Sequence, residues 1–179
     1  PMIDHLRRFL DEGKLMIGIC NGFQLLVKLG ILPALDGRRF ERQVSLTYNA
    51  SARYEDRWVR VAAAPLCPCV FTRGVGNLTV PVRHGEGRLV SPDEAVLDRL
   101  EAEHLVALRY VDPATGEPTH DYPANPNGSP RAIAGLTDPT GHVLGLMPHP
   151  EAFNHATNAP TAAARPPPHP HKHLNNHLD

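Results

Sequence analysis

The chain has 179 residues, with 18 Lys and Arg against 19 Asp and Glu, for a formal net charge of −1. That length suits about one domain with a real core, and near-neutrality gives no electrostatic case for binding nucleic acid or an anionic membrane. No apolar stretch approaches the roughly 20 residues of a membrane span, the opening residues lack a basic-then-apolar leader pattern, and an odd set of cysteines (Cys20, Cys67, Cys69) argues against a disulfide framework and for a reducing, cytoplasmic compartment.

The stretch "MIDHLRRFLDEG", residues 2–13, puts Met2, Ile3, Leu6, Phe9 and Leu10 near helical spacing, with Gly13 as its stop. "KLMIGIC" is short and continuously apolar, which predicts a strand buried on both faces of a parallel sheet. "NGFQLLVKLGILP" then predicts a helix ending near Gly30, with Pro33 just beyond. "QVSLTYNAS", "RWVRVAAA" and "NLTVPV" are strand candidates rich in Val and Thr. "SPDEAVLDRLEAE" predicts a short helix capped by Ser91 or Asp93, and "HLVALRYV" another strand. "DPATGEPTHDYPANPNGSP" is dense in Pro, Asn and Gly and reads as loop. "RAIAGLTDPTGHVLGLM" reads as a hairpin turning at "DPTG". Strands alternating with helices point to α/β with an antiparallel insertion or edge.

Residues 1–155 are expected to form the domain, and the Pro- and His-rich 156–179 an unpacked, disordered tail. No metal site is expected. Nothing fixes the geometry of His169, His171, His173 and His177, and the "CPC" of Cys67 and Cys69 lacks C-x-x-C spacing.

"GICNG" fits the pattern G-x-nucleophile-x-G, with Cys20 at the centre. Such an elbow requires a strand turning sharply into a helix, and small flanking residues, here Gly18 and Gly22, to avoid collisions. The helix N-terminus is expected to lower the Cys20 thiol pKa, and the backbone N–H of Asn21 to act as an oxyanion donor. The competing reading is a buried cysteine packing as a small hydrophobe. A base and its orienter are offered by "PHPE": in an extended segment His149 and Glu151 project to the same side, and Pro150 biases His149 toward that geometry.

"GICNGFQLL" together with "GLMPHPE" resembles the class I, triad-type glutamine amidotransferases. "LTYNASARYEDRWVRV", "PVRHGEGRL", "YPANPNGS" and "IAGLTDPTGHVLGLMPHPEAFNH" resemble, within that class, the glutaminase-subunit family of the phosphoribosylformylglycinamidine synthases of purine biosynthesis. The resemblance implies a doubly wound, flavodoxin-like fold and a Cys20–His149–Glu151 triad that hydrolyses L-glutamine. It implies delivery of the ammonia to a synthetase subunit, with a small third subunit left open. It implies no cofactor in this domain, with ATP and magnesium in the synthetase. It also makes Gln24 a wall of the glutamine pocket, makes His84, Gly85 and Glu86 the holders of glutamine's amino-acid end, and suggests that "NPNGS" faces the synthetase.

One departure from that family bears on activity. The family carries roughly 80 further residues before the segment that opens this chain, including the first strands and a glycine-rich loop with a second oxyanion donor. The chain is therefore expected to be an incomplete member. An inactive remnant or interaction domain, or another class I amidotransferase, stands as the alternative.

Overall fold

In the computed structural model of the chain, residues 2–158 are described. The first helix, α1, runs Met2–Asp11 and ends at Gly13, whose φ of +68° suits a residue without Cβ. There follow β1 (Met16–Ile19), α2 (Asn21–Lys28), β2 (Ser45–Tyr48), β3 (Glu55–Ala63), β4 (Asn77–His84), β5 (Glu86–Val90), α3 (Glu94–Ala102), β6 (Val106–Tyr110), β7 (Ile133–Thr137) and β8 (Val143–Leu146). Of the two caps offered for α3, the chain uses Asp93, which accepts the Val96 N–H at 3.0 Å.

Six strands form one sheet in the order β1-β8-β7-β6-β3-β4. Only β1 and β8 run parallel; every other pairing is antiparallel. The parallel part of the sheet is thus one strand pair among the described residues, and the antiparallel strands extend from it to the opposite edge at β4. The reason is local: short turns such as "DPTG" between β7 and β8 return the chain beside itself, which makes neighbours antiparallel. β1 is not buried on both faces either, because it ends the sheet, leaving Leu15 and Ile17 exposed. β5 was not foreseen as a strand. Gly85 and Gly87 interrupt its pattern, yet it pairs with β2 in a separate two-stranded sheet.

Alternation along β7 and β8 divides the core in two. Ile133, Leu136 and Val143 join Phe23, Leu26 and Val27 of α2, Leu97 and Leu100 of α3, and Leu10 of α1 on the helix-covered face. Ala134, Leu144 and Leu146 join Val59, Val61, Val80, Val82 and Tyr110 on the other, where Cys69 is fully buried. Cys20, Cys67 and Cys69 are free thiols. Apart from 156–158, which make a short 3₁₀ turn, the tail and its histidines lie outside the described residues. Among the described residues, no helix is long and apolar enough to cross a membrane.

Candidate active site

Cys20 occupies the single-residue joint between β1 and α2, with φ 51° and ψ −105°. A β-carbon at positive φ is strained, and the joint is held on both sides. The Cys20 N–H donates to Leu146 O at 2.8 Å, and the Cys20 carbonyl accepts the Gln24 N–H at 3.1 Å. Gly18 is required sterically: a Cβ there falls 2.6 Å from Leu26 Cδ1 and 2.8 Å from the Gly22 backbone. Gly22 is not, since a Cβ there meets nothing within 4 Å. The two flanking glycines therefore do different things, and only the first clears the strand–helix crossing.

The thiol pKa is raised, not lowered. Burial is the largest cause, the Glu151 carboxylate adds to it, and the hydrogen bond from the Asn21 N–H opposes both. The helix N-terminus acts in the expected direction but is outweighed by desolvation, so Cys20 rests as a thiol. Its sulfur lies 3.9 Å from Arg83 O, at the end of β4.

His149 and Glu151 meet, though not along an extended strand. β8 ends at Leu146, and Pro150–Ala152 turn as a 3₁₀ segment. This brings His149 Nδ1 to 2.6 Å from Glu151 Oε1, while the His149 N–H anchors on Pro81 O at 2.8 Å. With Nδ1 committed to the carboxylate, the basic atom left is Nε2, which is buried and has no hydrogen-bond partner among the described residues. That is the arrangement of a general base with its orienter.

A cleft of about 340 Å³ is lined by Cys20, Asn21, Gln24, Tyr48, His84, Gly85 and Glu86. Every pocket residue named from the sequence falls in it, together with one that was missed. Tyr48, 68% exposed, sits opposite Glu86 in the β2–β5 ladder beside a register shift at Thr47/Tyr48, the kind of irregularity that re-aims a side chain. Only a recognised β5 would have pointed to it. Gln24 is no free wall: its amide donates to Glu86 O at 2.7 Å. Two larger hollows of about 440 Å³ contain no cysteine or histidine. Among the described residues no group of three or more His, Cys, Asp or Glu is arranged to hold a metal.

His84 is buried, with Nδ1 3.1 Å from Asn49 Oδ1. The Asn49 amide donates elsewhere, so its oxygen faces the ring and His84 carries its proton on Nδ1. Burial first, and His149 second, pull its pKa down from 6.5 to about 4. The sign follows: unfolding lets His84 take up a proton at pH values where the folded chain cannot. The stabilisation of the neutral ring is whole above pH 6.5, and is lost progressively as pH falls toward about 4. This amounts to about 3 kcal/mol. Urea unfolding at pH 7.5 and pH 5 is expected to show a lower midpoint at the acid value. The difference should shrink in His84→Gln; an undiminished difference would assign it to other groups.

The "NPNGS" loop exposes Gly128 but turns its polar side chains inward. Asn125, Asn127 and Ser129 are all buried, and their side chains are spent on the chain's own backbone and on Tyr110.

The profile of the CobB/CobQ-like glutamine amidotransferase domain matches residues 1–175. The phosphoribosylformylglycinamidine synthase subunit PurQ of Dehalococcoides mccartyi is 42% identical over 159 residues, covering 88% of this chain and 58% of the relative. That of Methanococcus maripaludis is 41% identical over 161 residues, covering 89% and 58%. The phosphoribosylformylglycinamidine synthase of Drosophila melanogaster is 42% identical over 154 residues, covering 84% of this chain and 11% of the relative. Among solved structures, that of PurLQS from Thermotoga maritima superposes with a TM-score of 0.57 at 31% identity, covering 82% of this chain and 56% of that one. The chain thus spans 58% of the length of the PurQ relatives named, and its mixed α/β fold is of the class I glutamine amidotransferase kind. With the profile matched over nearly its whole length, the chain belongs to the CobB/CobQ-like glutamine amidotransferase domain family.

Proposed function

We propose that the chain hydrolyses the side-chain amide of L-glutamine and passes the ammonia to a synthetase subunit that forms phosphoribosylformylglycinamidine in the cytoplasm. The observation that supports this reading is a strained Cys20 at a helix N-terminus together with a His149–Glu151 couple just past the end of the neighbouring parallel strand. His149 Nε2 takes the Cys20 proton as sulfur attacks the carboxamide carbon. The Asn21 N–H, which leans on the sulfur at rest, bonds the oxygen as it gains charge. The C–N bond then breaks, and ammonia leaves with the proton from His149. Water, deprotonated by the same imidazole, cleaves the thioester to glutamate. A thiol protonated at rest suits this scheme, because the base is needed for attack and idle cysteine is protected from stray electrophiles. ATP and magnesium belong to the synthetase, as does any small third subunit of the assembly.

A chloroketone shaped like glutamine is expected to modify Cys20 and to spare Cys67 and Cys69, with glutamine protecting. Peptide mass spectrometry reads the outcome, and equal modification of all three thiols would overturn the assignment.

A further inference from the structure

The four carbonyls of the turn His84–Gly85–Glu86–Gly87 are all tied down. His84 O accepts from Asn49 Nδ2 at 2.8 Å, and Gly85 O from the Asn49 backbone N–H at 2.9 Å. Glu86 O accepts from Gln24 Nε2 at 2.7 Å, and Gly87 O from Asn127 Nδ2 at 2.9 Å. Asn49 and Asn127 come from loops far apart in the chain, and both are buried, at 3% and 0% exposure. Neither has spare capacity. Asn49 also donates to Arg53 O, and Asn127 also donates to Tyr110 Oη at 3.0 Å while its oxygen accepts the Ser129 N–H. The loops themselves are joined, since the Ala50 N–H donates to Asn127 O at 3.0 Å. In a planar trans peptide the N–H points opposite to the carbonyl, so fixing these carbonyls fixes where the N–H groups of the turn point.

We propose that Asn49 and Asn127 are positioning residues that hold the 84–87 turn in the shape that captures the amino-acid end of the substrate. The inference rests on the glutaminase reading and assigns a task to "NPNGS", which is tucked behind the turn. Loss of either brace lets the turn shift, and a displacement on the order of 1 Å is enough to cost ~10²-fold in a positioned site. The intrinsic reactivity of Cys20 is unaffected, because neither asparagine contacts its sulfur.

The test compares two alkylating agents on the full chain. The glutamine-shaped chloroketone requires the turn; iodoacetamide does not. In Asn127→Asp and Asn49→Asp, each of which replaces a donating amide by an acceptor, the half-saturating chloroketone concentration is expected to rise roughly tenfold or more. The iodoacetamide rate at Cys20 should stay near wild type. Thr137→Val serves as the control for general loss of stability, since it removes a buried hydrogen bond from Thr137 of β7 to Val143 O of β8, and should leave both readouts unchanged. Buried Cys69 reports folding. If Asn127→Asp exposes Cys69 to iodoacetamide, Asn49→Asp decides alone. Half-saturation unchanged in the folded variants, or both reagents slowed alike, would overturn the positioning role while leaving the glutaminase reading intact. A wild-type chain that never saturates with the chloroketone would remove that reading and this one with it.

Discussion

Cys20→Ala is expected to abolish glutamine-dependent amidine formation in the assembled synthase by roughly four orders of magnitude or more, as removal of a triad nucleophile does elsewhere. The substitution deletes one sulfur from a half-buried position, so the fold and the surface offered to the synthetase change little. Ammonium salt at high concentration should therefore restore product, because free ammonia enters downstream of the missing thiolate. His149→Ala is expected to behave in the same way. Glu151→Gln is milder, since it perturbs the orientation of the imidazole rather than the attacking atom. It also removes a negative charge that raises the Cys20 pKa, which partly offsets the loss. Amidine formed per minute from glutamine and from ammonium separates the two half-reactions. Normal glutamine-dependent turnover by Cys20→Ala would end the mechanism proposed here, and failure of ammonium rescue would place the defect in assembly.

Gly145→Ala is expected to harm the fold and the Cys20 joint together. Gly145 of β8 pairs with Gly18 of β1, and a Cβ there would lie 2.1 Å from Phe23 Cδ2 and 2.7 Å from Leu32 Cδ1. Both partners are buried, at 1% and 0% exposure, and cannot swing aside. Overpacking a core in this way costs about 1–3 kcal/mol, a large share of a stability of roughly 5–15 kcal/mol. Phe23 belongs to the first turn of α2, so the same push displaces the joint that holds Cys20. The urea midpoint should fall and Cys20 labelling should slow together. Gly22→Ala provides the contrast: it meets open space and removes a helix-weakening glycine, a gain of up to about 1 kcal/mol. Equal stability of Gly145→Ala and wild type would mean that the sheet and α2 can separate more easily than their packing implies.

The two halves of the candidate site's geometry were legible for different reasons. "GICNG" is a local motif, and local backbone geometry was enough to realise it. "HPE" delivered its contact through a 3₁₀ turn in place of a strand, because two residues of spacing allow a meeting in either geometry. The resting state of the thiol was not legible, since it depends on how much protein closes around Cys20, which no motif records. Nor were the braces. Asn127 fell in a segment that reads as loop and Asn49 in one that reads as strand, and their buried work became visible only once β5 was seen to pair with β2.

Because β1 and β8 run parallel, their carboxyl ends leave the sheet on the same side, so Cys20 and the segment that carries His149 emerge at one edge, with the Cys20 N–H bonded to Leu146 O. The two strands come from opposite ends of the described chain, with all the antiparallel strands formed between them. The pairing is therefore among the contacts of longest sequence separation in the domain, and such contacts impose the heaviest loop-closure cost and slow the search for the native state. A partly folded chain in which β8 has not docked on β1 lacks the proposed site, however complete its hairpins. On the glutaminase reading proposed above, the base reaches the cysteine only when β8 docks, which makes reactivity toward glutamine a readout of that docking.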